Sequence, residues 1–141
     1  VIFCDSEDSS PQALMTIRKM YEYLNMRALF MNAYNHDVHV AYVSHISHIS
    51  SFALALTVLE KEKNEKNIFD LASGGFDSTV RLAKSSAEMW APIFEHNTEN
   101  IRAVLETYIN HLEEFKDLII QNEKEKLIEI MNKANRIKKI L

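Results

Sequence analysis

Glycine and proline are almost missing from these 141 residues: there are two of each, with both glycines adjacent at Gly74 and Gly75 and the prolines at Pro11 and Pro92. Sheets of many strands draw on such residues for their turns, so their scarcity excludes a many-stranded β fold and predicts long helices. Cysteine occurs once, at Cys4, which excludes an internal disulfide framework and fits a reducing, cytoplasmic compartment. Positive charge is not in excess either. The formal net charge of −4 supplies no basic field for a nucleic acid. No basic segment leads into an apolar run at the start, so no signal peptide is read, and GxGxxG, HExxH and paired cysteines are all absent. What is present is apolar material, 47% of the residues, enough for one domain with its own core.

Along the chain, VIFCD at residues 1–5 reads as a short strand, and because the first residue is Val1 it reads as one entered in mid-protein. Ser10 followed by Pro11 opens a helix as N-cap and first-turn proline, with Leu14, Ile17, Met20, Tyr21 and Leu24 on one face. RALFMN at 27–32 reads as a second strand. Strand, helix and strand make a βαβ-sized unit with no further sheet to join, which is the expectation for a remnant of a larger sheet.

From Asp37 to Glu60 no charged residue intervenes. Val38, Ala41, Tyr42, Ile46, Ile49, Phe52, Ala53, Leu56 and Leu59 keep helical spacing. The run is long enough to cross a bilayer, but His39, Ser44, His45, Ser47, His48, Ser50, Ser51 and Thr57 make it too polar for lipid on all sides. A helix buried among other helices, or across a dimer interface, is the reading adopted, with no membrane. EKEKNEKN (60–67) is a solvated connection. A short helix through Ile68, Phe69 and Leu71 is expected to end at Gly74 and Gly75 in a left-handed C-cap. Ser85 and Glu88 form a capping-box pattern, and Pro92 is expected to kink the helix that follows. Residues 98–121 give the cleanest amphipathic helix, and Leu127, Met131, Ala134, Ile137 and Leu141 repeat its pattern in a last one.

Four histidines, His36, His39, His45 and His48, invite a metal reading. On a straight helix at 100° per residue, His36 and His45 lie on opposite sides, as do His39 and His48, so one helix cannot deliver all four to one ion. His36 with Asp37 also fits a metal-dependent phosphohydrolase, but no histidine precedes His36 to complete that ligand set. No metal is expected. His45 and His48 share a face, and without further context they are helix histidines bonding to neighbours in a polar seam.

HDVHVAYVSHISH, then ASGGF, then STVRLAKSSAEMW resembles the C-terminal domain of the prephenate dehydrogenase family, which includes arogenate-using relatives, over essentially the whole chain. That family's order is a His-Asp pair, Ser-His-Leu-Pro-His, Gly-Gly-Phe, Thr-Arg-Ile-Ala and Met-Trp. Here Ile46 and Ser47 replace Leu-Pro, and Val80 stands directly before Arg81, with Thr79 adjacent. The resemblance implies a mainly α, multi-helix substrate-binding and dimerisation domain at 33–141, preceded by the last strand-helix-strand of a dinucleotide-binding domain at 1–32. It implies oxidative decarboxylation of prephenate to 4-hydroxyphenylpyruvate with NAD or NADP, on the way to tyrosine. Arg81 would bind a substrate carboxylate, His48 would contact the substrate, and His45 would line or gate the pocket with Trp90. Gly74 and Gly75 would allow close backbone approach. The family's catalytic histidine belongs to the nucleotide-binding domain, so no catalytic residue is assigned here, and the fragment is expected to bind no cofactor and to be inert alone. A homodimer through the helices is implied. The competing reading is a helical interaction module without chemistry. The two differ in whether Arg81, His48 and Trp90 converge.

Overall fold

The computed structural model describes residues 1–63 and 67–140. It is mainly helical, with one short strand pair at the N-terminal end. Strand β1 (Ile2–Cys4) pairs in parallel with β2 (Leu29–Met31), Phe3 lying opposite Phe30. Helix α1 (Pro11–Tyr23) joins them, capped by the Ser10 side chain, which accepts from the Ala13 N–H at 3.2 Å. The Phe3 and Phe30 rings stack at 5.0 Å, Tyr21 meets Phe3 edge-on at 5.9 Å, and the Arg18 guanidinium lies 5.5 Å from the Phe30 ring centre.

The shortage of glycine is met by asparagine. At the end of α1, Asn25 takes φ 53, the Met26 N–H reaches the Tyr21 carbonyl, and the Asn25 N–H reaches that of Glu22. This is a Schellman closure, in which a left-handed residue satisfies the last carbonyls. Asn122, at φ 56, closes the later helix in the same way through Leu118 and Ile119. Asparagine tolerates the left-handed region better than other residues with a Cβ.

The uncharged stretch forms α2 (Ala33–Val40), a π turn at Ala41–His45, and α3 (Ile46–Glu62). Asn32 caps it, its side chain accepting from the Asn35 N–H at 2.7 Å, and His36 and Asp37 sit inside α2. The whole stretch, Ala33–Glu62, is long and apolar enough to cross a membrane by length and composition, and only 11% of its apolar window is buried. The expected burial among helices is therefore not met within one chain: Val43 exposes 74%, Leu56 67% and Leu59 49%.

Part of the predicted 60–67 connection lies outside the described residues. A single turn at Phe69–Leu71 follows it, and then α4 (Gly74–Val80), a tight 3-10 turn at Arg81–Lys84, and α5 (Ala87–His96). Two expectations are corrected here. The glycines begin α4 instead of ending a helix, and neither takes a positive φ. The cap of α5 is Ser86, not Ser85: its Oγ accepts from the Met89 N–H and donates to the Glu88 carboxylate. Helix α5 runs through Pro92. Helix α6 (Thr98–Ile120) is the long amphipathic helix read from the sequence; α7 (Lys124–Ala134) is shorter than predicted and passes into a 3-10 turn at Asn135–Lys139. The backbone falls into two compact units, 1–101 and 102–141. Among the described residues of the first, Ala41, Trp90 and Ile101 are the buried apolar side chains; among those of the second, Val104 is.

Candidate functional site

The two histidines of the 43–51 stretch meet the one tryptophan. The His48 ring stacks on Trp90 with centroids 3.6 Å apart and planes 30° from parallel. His45 meets Trp90 edge-on at 6.0 Å and Phe94 at 6.1 Å. Helices α3 and α5 thus supply one aromatic cluster. His48 Nδ1 lies 3.0 Å from the Ser44 carbonyl. A ring nitrogen facing a carbonyl must carry the proton, so neutral His48 keeps Nε2 as an acceptor for another group. Trp90 is 9% exposed, and its Nε1–H has no partner among the described residues.

His45, 6% exposed, is held from its other side. The Asn97 amide donates to the Asp37 backbone carbonyl at 2.7 Å and approaches His45 Nδ1 at 3.3 Å, while its Oδ1 accepts from Asn100. Both amide protons are committed, so His45 Nδ1 is the acceptor and its proton sits on Nε2. An open cleft of about 300 Å³ borders this network, with Asp37, His45, His96 and Asn97 among its lining residues. His36 Nδ1 pairs with Asp37 Oδ1 at 2.9 Å.

Burial pushes the His45 pKa below its ordinary 6.5; Asp37 opposes this, and His48 and His36 add to it. The unfolded chain therefore takes up a proton at a higher pH than the folded one does. The stability this brings is complete above 6.5 and is lost as pH falls through that value toward the lower folded pKa. We expect the melting temperature to drop between about pH 7 and pH 5, and His45→Gln to flatten that drop. Equal slopes in thermal melts of the two proteins would remove His45 as the cause.

Arg81 opens the 3-10 turn after α4. It is exposed and forms no ion pair among the described residues. Its neighbours are already matched: Lys84 donates to Asp77 at 2.8 Å, and that contact holds the Asp77 carboxyl below the usual range. Ser51, 2% exposed, ties α3 to this segment by hydrogen bonds to Thr79 and Ala83. So His48, His45 and Trp90 come together directly, and Arg81 is linked to α3 through Ser51, one turn beyond His48. Gly74 and Gly75 lie six or seven residues before Arg81, about 10 Å along the helix axis. A Cβ would meet nothing within 4 Å at Gly74 and only Ser73 Oγ, at 4.0 Å, at Gly75, so no close approach among the described residues requires them.

Ser51 and Asn97 were missed by reading the sequence. Ser51 carried a signal, its spacing of three from His48; Asn97, just before α6, had none beyond a capping role. Among the described residues, no three His, Cys, Asp or Glu side chains are placed to share a metal ion.

The chain matches a family model described as prephenate dehydrogenase, dimerization domain, over residues 32–133. It is similar to the prephenate dehydrogenase of Bacillus subtilis (strain 168), with 24% identity over 137 residues covering 94% of this chain and 36% of that protein. A crystal structure of prephenate dehydrogenase from A. aeolicus in complex with hydroxyphenyl propionate and NAD+ superposes with a TM-score of 0.85 at 29% identity, over 99% of this chain and 48% of that one. The fold is also that of Synechocystis arogenate dehydrogenase, with a TM-score of 0.78 at 24% identity, over 97% of this chain and 50% of that one. The chain thus spans about half of each solved relative and a smaller share of the curated one.

Proposed function

The chain belongs to the prephenate dehydrogenase family, whose dimerisation-domain model it matches over residues 32–133, and on that premise we propose that it is the substrate-binding and homodimer-forming part of a cytoplasmic prephenate or arogenate dehydrogenase. Such an enzyme passes a hydride from C4 of a cyclohexadienol ring to NAD or NADP, releases the ring carboxylate as carbon dioxide, and leaves an aromatic ring. With prephenate the product is 4-hydroxyphenylpyruvate, a precursor of tyrosine.

The described residues do not fit a dinucleotide. Both glycines lie in α4, not in a strand-to-helix turn, and the turn after β1 carries Glu7 and Asp8, whose charges oppose a pyrophosphate. The cofactor is then held by another domain, of which residues 1–32 are the end, and this chain alone turns over no substrate. Its own work is recognition. Arg81 offers an unmatched planar cation suited to a carboxylate. His48 offers Nε2 as an acceptor to a substrate hydroxyl, Trp90 backs the ring, and His45 supports Trp90 from behind. A membrane crossing by Ala33–Glu62 would sever Ser51 from Thr79, His48 from Trp90 and His45 from Asn97, which speaks against it.

The His48–Trp90 stack is the observation that carries this reading. Trp90 is the sole tryptophan, so its fluorescence reports on this aromatic cluster. Titration with 4-hydroxyphenylpyruvate, corrected for ligand absorbance, is expected to give saturable quenching. A linear response without saturation would favour the interaction module without chemistry.

A further inference from the structure

Ser51 follows His48 by three residues, on a shared face of α3. Ser47, Ser50 and Thr57 each donate back to a carbonyl of their own helix four residues earlier. Ser51 does not. Its buried hydroxyl leaves α3, donates to the Thr79 carbonyl at 3.0 Å and accepts from the Ala83 N–H at 3.0 Å. Thr79 and Ala83 are four residues apart, and in an uninterrupted α-helix the later N–H would bond directly to the earlier carbonyl. The hydroxyl stands in the place of that rung.

A side chain inserted into the ladder is a known physical cause of a helix break, and the break is found at this point. Helix α4 ends at Val80, whose φ of −90° and ψ of 4° leave the helical range, and Arg81–Lys84 winds on as a 3-10 turn. Arg81 is the middle residue of the bridged segment. The difference between 3.6 and 3.0 residues per turn is about 20° per residue, which moves a group roughly 6 Å from the axis by about 2 Å. That is more than a bidentate carboxylate contact tolerates.

We propose that Ser51 is a positioning residue for Arg81: its hydroxyl replaces one rung of the α4 ladder, converts the following residues to a 3-10 turn, and sets the guanidinium in register with His48. The proposal rests on the reading of Arg81 as the carboxylate-binding cation. It gives α3 a second task beside the contact of His45 and His48 with Trp90: Ser51 shapes the segment that carries Arg81.

Two readouts on Ser51→Ala and Ser51→Thr, each alone and combined with Arg81→Ala, test it. One is nuclear magnetic resonance of residues 79–84, following carbon shifts and exchange of the Ala83 amide. The other is prephenate affinity by calorimetry. Ser51→Ala is expected to let the rung close, to move residues 81–84 toward α-helical shifts, and to weaken prephenate binding about tenfold. Ser51→Thr, which keeps the hydroxyl, restores both readouts. With Arg81 already alanine, loss of the hydroxyl leaves affinity unchanged, because the two act through one contact. Unchanged shifts at 81–84 in Ser51→Ala would overturn the proposal, and so would an undiminished effect in the Arg81→Ala background. Shifts that move as expected in a protein whose wild type binds no prephenate would instead sink the reading of Arg81 and, with it, any purpose for the placement.

Discussion

Arg81→Ala weakens prephenate binding by roughly 100-fold. Hydrogen bonds to charged groups contribute about 1.5–3 kcal/mol each, so loss of a two-pronged contact removes about 3 kcal/mol, near two powers of ten. The expectation is strong because the charge is not already answered: Lys84 and Asp77 satisfy one another, and Arg81 has no ion pair among the described residues. Arg81→Lys is expected to recover only part of the loss, since a point charge cannot reproduce the planar fork. Calorimetry with prephenate at two salt concentrations measures both changes. A loss of less than about threefold would show that the carboxylate is held elsewhere.

The other large effect is expected at the uncovered side of α3. Phe52, Leu56 and Leu59 follow one another at helical spacing, and Leu56 and Leu59 expose 67% and 49% in the single chain. The matched family model is described as a dimerization domain, and we propose this stripe as the contact between two copies. Leu56→Lys removes a leucine whose burial stabilises by about 2 kcal/mol and forces an ammonium into the same place. Two-fold symmetry applies the change twice, so the dimer constant should rise by on the order of 1,000-fold. Light scattering at micromolar concentration would then report the 16.3 kDa of one chain in place of twice that mass. An unchanged dimer would move the interface off this stripe.

Helices with one apolar face were readable because burial imposes a period on the sequence, and α6 is the clearest example. So was the strand-helix-strand start, where Ser10 and Pro11 marked the helix by local chemistry. Residues that act through hydrogen bonds between distant segments left no such period. Ser51 shares a helix face with His48 by its spacing, but only the approach of α4 gives its hydroxyl partners outside the helix. Asn97 resembles an ordinary helix-capping residue until Asp37 and His45 are placed beside it. The π turn at Ala41–His45 was invisible because its residues keep apolar spacing while the rotation per residue changes. At Gly74 and Gly75 glycine suggests a helix stop, but the boundary is Ser73, extended and directly before α4.

Few apolar side chains are buried among the described residues, and in the proposed homodimer that ties folding to mass action. In the proposed assembly the exposed face of α3 is covered by a second copy, and the strand pair by the rest of the nucleotide-binding domain. For such a dimer dilution acts as a denaturant, and the folded fraction depends on concentration. A ligand or partner that closes either surface stabilises the whole cooperative unit and not merely its own contact. Substitutions far from Trp90 can then change substrate affinity without touching substrate, by altering how much of the chain is assembled to receive it.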